Sequence, residues 1–125
     1  MLLMLQEQLS NILNWNKARV TFLAGMLLAL LKVKTVNLAE LARAFMSEAE
    51  EKSRYRRIQR FLKGYKMDKE ETARVIMRLK RGQRKAVIIL DRTEWRFGKA
   101  VINILVLAVK YEGVAVPIFW KMMDR

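Results

Sequence analysis

Residues 85–98 read Lys85-Ala86-Val87-Ile88-Ile89-Leu90-Asp91-Arg92-Thr93-Glu94-Trp95-Arg96-Phe97-Gly98. The four large aliphatic residues at 87–90 are too few for a helix, so they predict a strand that is buried on both faces. This strand would place Asp91 at one end of a sheet. A carboxylate there can bind a metal ion through its oxygens, or it can pair with Arg92 or Arg96. Judged on these residues alone, the ion pair is favoured.

Two further apolar runs complete the predicted sheet. Residues 100–109 (AVINILVLAV) are rich in β-branched side chains, and residues 114–120 (VAVPIFW) form a third run. Between them, Tyr111-Glu112-Gly113 has the composition of a tight turn. Three sequential strands with short connections predict an antiparallel meander.

The composition limits the chemistry that the chain can perform. At 125 residues it is one domain by length and short for a complete α/β enzyme. Lys and Arg number 25 against 12 Asp and Glu, and the net charge of +13 indicates a polyanionic partner, nucleic acid ahead of a membrane surface. The sequence contains no Cys and no His, which excludes disulfides, thiolate sites and imidazole catalysis. Any metal would be held by carboxylates, which favours Mg²⁺ or Mn²⁺ over Zn²⁺.

One apolar run resembles a membrane segment in composition. Residues 20–31 are apolar, but Arg19 and Lys32 bracket them, and the run is shorter than the roughly 20 residues that a bilayer requires. It is therefore predicted to be a core helix. The first five residues lack the basic region and cleavage site of a signal peptide, so a cytoplasmic location is expected.

Helical periodicity dominates the chain up to about residue 79. The predicted helices cover about 2–13, 16–31, 38–46, 48–64, and a fifth segment that follows Asp68. Asn37 with Glu40, and Asp68 with Glu71, have capping-box spacing, and Gly64 suits the position after a helix. A basic cluster around Gly82 predicts a linker between a helical region, 1–80, and a sheet region, 81–125; its members are Arg78, Lys80, Arg81, Arg84 and Lys85.

The fourth helix carries the DNA-binding prediction. At about 100° per residue, Tyr55, Ile58, Leu62 and Tyr65 form one apolar stripe, on which the two tyrosines are expected to be core anchors. The residues predicted to bind DNA are Lys52, Arg54, Arg56, Arg57, Arg60 and Lys63. A solvated basic face is the usual explanation of such a run. Residues 38–45, however, have the small-residue packing of the first helix of a helix-turn-helix, which favours a major-groove helix.

Two parts of the chain resemble the DDE insertion-sequence transposases of family four. The first is Asp91-Arg92-Thr93-x-Trp95-x-Phe97-Gly98, followed by Ile102-Asn103-Ile104-Leu105 and Gly113-Val114-Ala115-Val116-Pro117-Ile118-x-Trp120. The second comprises residues 34–38 (KTVNL) and 55–62 (YRRIQRFL). Together the matched stretches cover most of residues 30–120.

This resemblance implies a ribonuclease H-like catalytic domain that cuts and joins DNA with Mg²⁺. Asp91 would be the first of three metal-binding catalytic acids, and the N-terminal region would bind double-stranded DNA at the terminal inverted repeats. The other two acids of the family come later than residue 125. Asp124 stands where the family motif has no catalytic residue, and Glu94 would point to the opposite face of the strand from Asp91. The chain alone is therefore expected to bind DNA without cutting it.

The expected fold class is α+β. An N-terminal all-helical DNA-binding region with helix-turn-helix character would precede a three-stranded antiparallel meander, which begins an incomplete ribonuclease H-like domain. Such a sheet should expose an edge and an apolar patch. We expect this patch to be covered by a second copy of the chain in a homodimer or by the N-terminal helices. The alternative function is a stand-alone DNA-binding protein or repressor in which Asp91 has no catalytic role.

Overall fold

The computed structural model describes residues 1–80 and 85–124. In these residues the chain is α+β, with five helices before a three-stranded antiparallel sheet, and the predicted class is confirmed. The elements are α1 (Leu2–Ile12), α2 (Lys17–Val33), α3 (Leu38–Ala44), α4 (Glu51–Gly64), α5 (Lys69–Leu79), β1 (Ile88–Phe97), β2 (Ala100–Tyr111) and β3 (Val114–Met123). Of the predicted linker, Arg81, Gly82 and Arg84 lie outside the described residues.

The chain divides into two compact units, Met1–Met67 and Asp68–Arg125. The first unit contains α1 to α4, and the second contains α5 and the sheet. The sequence prediction grouped α5 with the preceding helices, because the periodicity of the apolar residues changes from helical to strand-like only near residue 80. By contacts, α5 belongs with the strands.

Side-chain caps fix the starts of two helices, as predicted. Asn37 Oδ1 accepts hydrogen bonds from the backbone N–H groups of Ala39 (3.0 Å) and Glu40 (3.3 Å). Asp68 Oδ1 accepts from the N–H groups of Glu70 (2.7 Å) and Glu71 (3.4 Å). These caps satisfy N–H groups that have no partner inside the helix.

Helix α4 is present as predicted, but its first residue was predicted too early. The helix begins at Glu51 rather than at residue 48, and Gly64 is its last helical residue. The next residue, Tyr65, leaves the helix in an extended conformation, so no left-handed glycine is needed at this end. By contrast, α2 ends at Val33, and the next residue, Lys34, has a left-handed conformation with a φ of 55°.

The core of the first unit is built by successive helix pairs, α1 on α2, α2 on α3 and α3 on α4. Its fully buried members include Leu9, Val20 and Ile58. Gly25 of α2 allows a close approach: a Cβ atom there would lie 2.9 Å from Cζ of the buried Phe45. The small residue therefore lets the Phe45 ring pack directly against α2.

Among the described residues, no single helix is both long and apolar enough to cross a membrane; α2 and α3 meet that test only as a pair, and they are bent by 105°.

The strands follow one another in the sheet order β1-β2-β3, as the meander prediction requires. Tyr111 pairs with Val114 across a two-residue turn, in which Glu112 and Gly113 have φ values of 47° and 81°. Positive φ at both central residues is the signature of a type I′ hairpin turn, and the tight-turn prediction is confirmed. An irregularity in the β2–β3 register occurs between Leu107 and Ala108.

Helix α5 covers one face of β2 and β3. Ala73 packs with Val109 and Ile118, and the partly buried residues around them are Ile76, Leu107, Val116 and Phe119. This contact gives the sheet its core.

The prediction that residues 87–90 are buried on both faces was wrong. All four are exposed, and Leu90 is 67% exposed. The physical reason is position: β1 is an edge strand paired only with β2, and α5 packs on β2 and β3. The expected exposed edge and apolar patch are therefore present in the described residues, and Trp95 and Phe97 extend them.

Candidate nucleic-acid interface

The basic face of α4 is exposed along its length. Lys52, Arg56, Arg60 and Lys63 are all exposed, and none of them forms an ion pair within residues 1–80 and 85–124. On the opposite side of the helix, Ile58 is fully buried in the first unit. Four cations without neutralising carboxylates produce a positive potential at this surface, which attracts polyanions.

Arg54 differs from the other basic residues of α4, because its side chain is directed into the first unit. Its Nη1 donates a 2.6 Å hydrogen bond to the carbonyl oxygen of Phe45, the residue that follows α3. Its Nε is buried and has no hydrogen-bond partner among the described residues. Arg54 therefore links α4 to the end of α3 and does not belong to the exposed basic face of α4. The sequence alone could have shown that Arg54 points away from the basic face, since it lies about 160° from Lys52 around the helix axis.

Aromatic rings line the buried side of α4. Tyr65 lies 4.4 Å from Trp15 and 5.5 Å from Phe61, measured between ring centroids. Phe22 continues the cluster, at 5.0 Å from Phe61 and 5.1 Å from Phe45. Tyr65 is thus a packing residue, as predicted. This cluster depends on contacts between α2 and α4, which sequence periodicity did not reveal.

Leu62 does not belong to the buried stripe on which the sequence placed it. Its side chain is 54% exposed, whereas Ile58 is fully buried. The half-buried Phe61 and the inward-facing Arg54 show that the buried stripe is rotated away from Leu62. This prediction was wrong because the periodicity of apolar residues shows that a helix has an apolar face, but it does not fix which residue lies at the centre of that face.

The link between α3 and α4 is longer than in a typical helix-turn-helix. Residues 45–50 connect the two helices, whereas the turn of that motif usually has about 3–4 residues. Arg43 and Glu51 form an ion pair across this connection, with Nε and Oε1 at 3.1 Å. The helix-turn-helix character therefore stays a prediction.

Asp91 lies inside β1 rather than at its end, which corrects the predicted position. It is exposed and pairs in register with Val106, which in turn pairs with Trp120. These three residues share the face opposite the one that Leu107 and Val109 present to α5. Asp91 Oδ1 accepts a 2.8 Å hydrogen bond from the backbone N–H of Arg92.

The predicted ion pair of Asp91 with Arg92 or Arg96 was wrong. Arg92 Nη2 donates to Oδ1 of Asn103 at 3.1 Å, and Asn103 is only 3% exposed. Arg96 Nε pairs with Glu94 Oε1 at 3.3 Å. Both arginines alternate with Asp91 along the strand, so their side chains lie on its other face.

The described residues bring no cluster of acids to Asp91. Glu94 pairs with Asn103 and so lies on the other face of the strand, as the sequence predicts. Within the described residues, no group of three acidic side chains could hold a metal ion. Two-metal phosphodiester chemistry requires several carboxylates at one place.

Asp91→Asn should change the free energy of unfolding by less than about 0.5 kcal/mol, because the carboxylate is exposed and an amide oxygen can accept the same backbone hydrogen bond. Urea denaturation of the full chain without metal, read from tryptophan fluorescence, measures the change. As a control, Asn103→Ala removes the buried acceptor of Arg92 and should cost about 1–3 kcal/mol. A loss above about 1 kcal/mol for Asp91→Asn would reveal a stabilising partner of the carboxylate.

Comparisons of the chain with protein-family profiles, with curated proteins and with solved structures each found no match. The transposase resemblance is therefore carried by the matched stretches of sequence alone. The surface of α4 stands independently of it, since its exposure and charge are properties of the folded chain.

Proposed function

We propose that this chain binds double-stranded DNA through α4, as the N-terminal part of a DDE insertion-sequence transposase of family four. The observation that carries the DNA-binding proposal is the exposed face of Lys52, Arg56, Arg60 and Lys63, which has no carboxylate partner in the described residues. A surplus of 13 positive charges over the whole chain favours the same kind of partner.

The dimensions of α4 suit the major groove of B-DNA. Its 14 residues span about 21 Å along the axis, and an α-helix with its side chains is about 10–12 Å across, which matches the groove width of about 12 Å. Lys52 and Lys63 lie near the two ends of the helix, where phosphates border the groove. Arg56 and Arg60 lie between them, one helical turn apart, and a guanidinium can donate two hydrogen bonds to one guanine. In this arrangement the lysines bind the backbone and the arginines read bases of the terminal inverted repeats.

The proposed role of the second unit follows from the resemblance. β1, β2 and β3 would be the first strands of a ribonuclease H-like domain, and Asp91 its first metal-binding catalytic acid. Mg²⁺ would need more carboxylates than residues 1–80 and 85–124 bring together. The activity proposed for this chain is therefore binding of element ends in the cytoplasm, and the exposed edge of β1 offers a place for a homodimer.

A stand-alone DNA-binding protein or repressor is the second candidate function. In such a protein the same surface of α4 would bind DNA, and Asp91 would have no catalytic role. The coding DNA after the codon for Arg125 distinguishes the two: a continuation that encodes further acidic residues supports the transposase, and its absence supports the repressor.

Binding of the purified chain to a fluorescent 30-base-pair duplex tests the shared proposal. The association constant should fall steeply with salt, with a log–log slope of about −4 or steeper, because each of the four cations of the α4 face displaces counterions from the duplex. Fluorescence anisotropy between about 50 and 300 mM salt measures the slope. Binding that does not depend on salt, or tighter binding to the single strands than to the duplex, would contradict recognition by a groove helix.

A further inference from the structure

We infer that the start of α2 holds a second DNA contact, a recess in which arginines bind a backbone phosphate. The inference rests on the proposed function and extends its surface beyond α4. The recess has a volume of about 390 Å³ and lies entirely within the first unit. Its polar lining comes from Asn16 and three arginines, Arg19, Arg57 and Arg60, and its apolar lining includes Phe22 and Phe61.

Two of the arginines are held on aromatic rings. The guanidinium carbon of Arg19 lies 4.8 Å from the ring centroid of Tyr65, and that of Arg57 lies 5.4 Å from the centroid of Phe22. At these distances each guanidinium is attracted to the face of its ring by a cation–π interaction, which does not use its N–H donors. Both rings belong to the packed aromatic cluster, so these contacts orient the guanidinium groups of Arg19 and Arg57 in the absence of a ligand.

The recess carries positive charge without a neutralising carboxylate. In the part of the chain that the structure describes, Arg19, Arg57 and Arg60 form no ion pair, and the ion pairs present use Arg43, Arg74 and Arg96. The backbone N–H of Arg19 already donates to Asn16 Oδ1 at 2.9 Å, so the anion is bound mainly by side chains. The positive end of the 17-residue α2 adds to the same potential.

A phosphate diester suits this set of donors better than a carboxylate-bearing partner. The guanidinium groups of Arg19 and Arg57 supply several N–H donors, and a phosphate offers several acceptor oxygens in a geometry that a guanidinium group matches. Arg60 also belongs to the basic face of α4, so the recess continues that surface. One DNA strand could therefore contact both, with α4 in the groove and a flanking phosphate in the recess.

The test replaces Arg19 and Arg57 together by Gln, which leaves the groove-facing lysines and Arg56 intact. Duplex affinity at 0.1 M salt should fall on the order of 10- to 100-fold, and the salt slope should fall in magnitude by about 1, because one phosphate contact is lost. The control Lys99→Gln with Lys110→Gln removes the same charge from exposed positions of the second unit, which are not part of the proposed contact, and should change affinity by less than about threefold. If the parent binds DNA and the arginine pair behaves like the control, the recess is not a phosphate site. If the parent does not bind duplex DNA, the proposed function itself fails.

A second variant distinguishes a guanidinium site from a general positive field. Arg19→Lys with Arg57→Lys keeps both charges, so the salt slope should stay within about 0.5 of the parent, but affinity should fall about three- to tenfold because the forks are lost. This variant decides the test if circular dichroism shows that the Gln pair is unfolded. Affinity equal to that of the parent would overturn the inference.

Inorganic phosphate identifies the source of the anion. Calorimetric titration of the parent with phosphate should show no binding below about millimolar concentrations, since a free ion lacks the many other contacts of a duplex. Micromolar phosphate binding that is lost in the Gln pair, while duplex affinity is unchanged, would overturn the assignment to DNA.

Discussion

Replacing Lys52, Arg56 and Lys63 together by Gln should weaken duplex binding on the order of 100-fold at 0.1 M salt, and the magnitude of the salt slope should fall by about 3. All three side chains are exposed and take part in none of the described ion pairs. Their loss therefore removes phosphate or base contacts without breaking a contact that holds the fold. Anisotropy titrations over a range of salt concentrations measure both quantities.

The matched control removes three charges from the other unit. Lys99, Lys110 and Lys121 are exposed, and replacing them together by Gln lowers the net charge by the same amount. If α4 is the binding surface, this control should lose less than about threefold in affinity, because these lysines are not among the cations proposed to contact the duplex. Equal losses in the two triple variants would indicate attraction by net charge alone. Arg60 stays unchanged in both, since it also lines the recess at the start of α2.

Features governed by local chemistry were predictable from the sequence. Asn37 and Asp68 cap helices because their short side chains reach the first free N–H groups of the following turn. The Glu112-Gly113 turn forms because glycine tolerates positive φ and the flanking runs favour strands. Neither feature needs a distant partner, and both were found at the predicted residues.

Features that depend on the neighbours of an element were not predictable in the same way. The run at 87–90 reads as a buried strand, yet β1 is exposed because only β2 pairs with it. Asp91 was placed at a strand end because it interrupts the apolar run, but the β1–β2 ladder continues past it to Phe97. Pairing between strands, rather than the hydrophobicity of one segment, set both outcomes.

The candidate interface also has one part that the sequence predicts and one part that depends on contacts between helices. The exposure of Lys52, Arg56, Arg60 and Lys63 agrees with the helical period, which is a local property. The recess around Arg19 is not local, because it forms only where the start of α2 meets α4. A signal was present in the sequence, since Trp15, Phe22 and Arg19 flank the start of an apolar helix, but nothing in it indicated which rings the arginines would stack on.

Ile58→Ala should lower the free energy of unfolding of the first unit by about 2–5 kcal/mol, whereas Leu62→Ala should change it by less than about 0.5 kcal/mol. Both residues occupy the apolar stripe of α4 that periodicity defines, but Ile58 is fully buried and Leu62 is 54% exposed. Truncation at Ile58 leaves a cavity among packed helices, and truncation at Leu62 removes atoms that water already contacts. The difference between the two variants therefore measures the rotation of α4 about its own axis.

The measurement uses the full chain with Trp95→Phe and Trp120→Phe, two exposed positions, so that Trp15 is the only tryptophan left. Trp15 packs on Tyr65, the residue that follows α4, and its fluorescence in urea reports on this part of the first unit. Equal destabilisation by the two alanine variants would mean that Leu62 is buried as well. In that case α4 would be rotated toward Leu62, and the basic face assigned to Lys52, Arg56 and Lys63 would have to turn with it, because side-chain directions around one helix are fixed relative to one another.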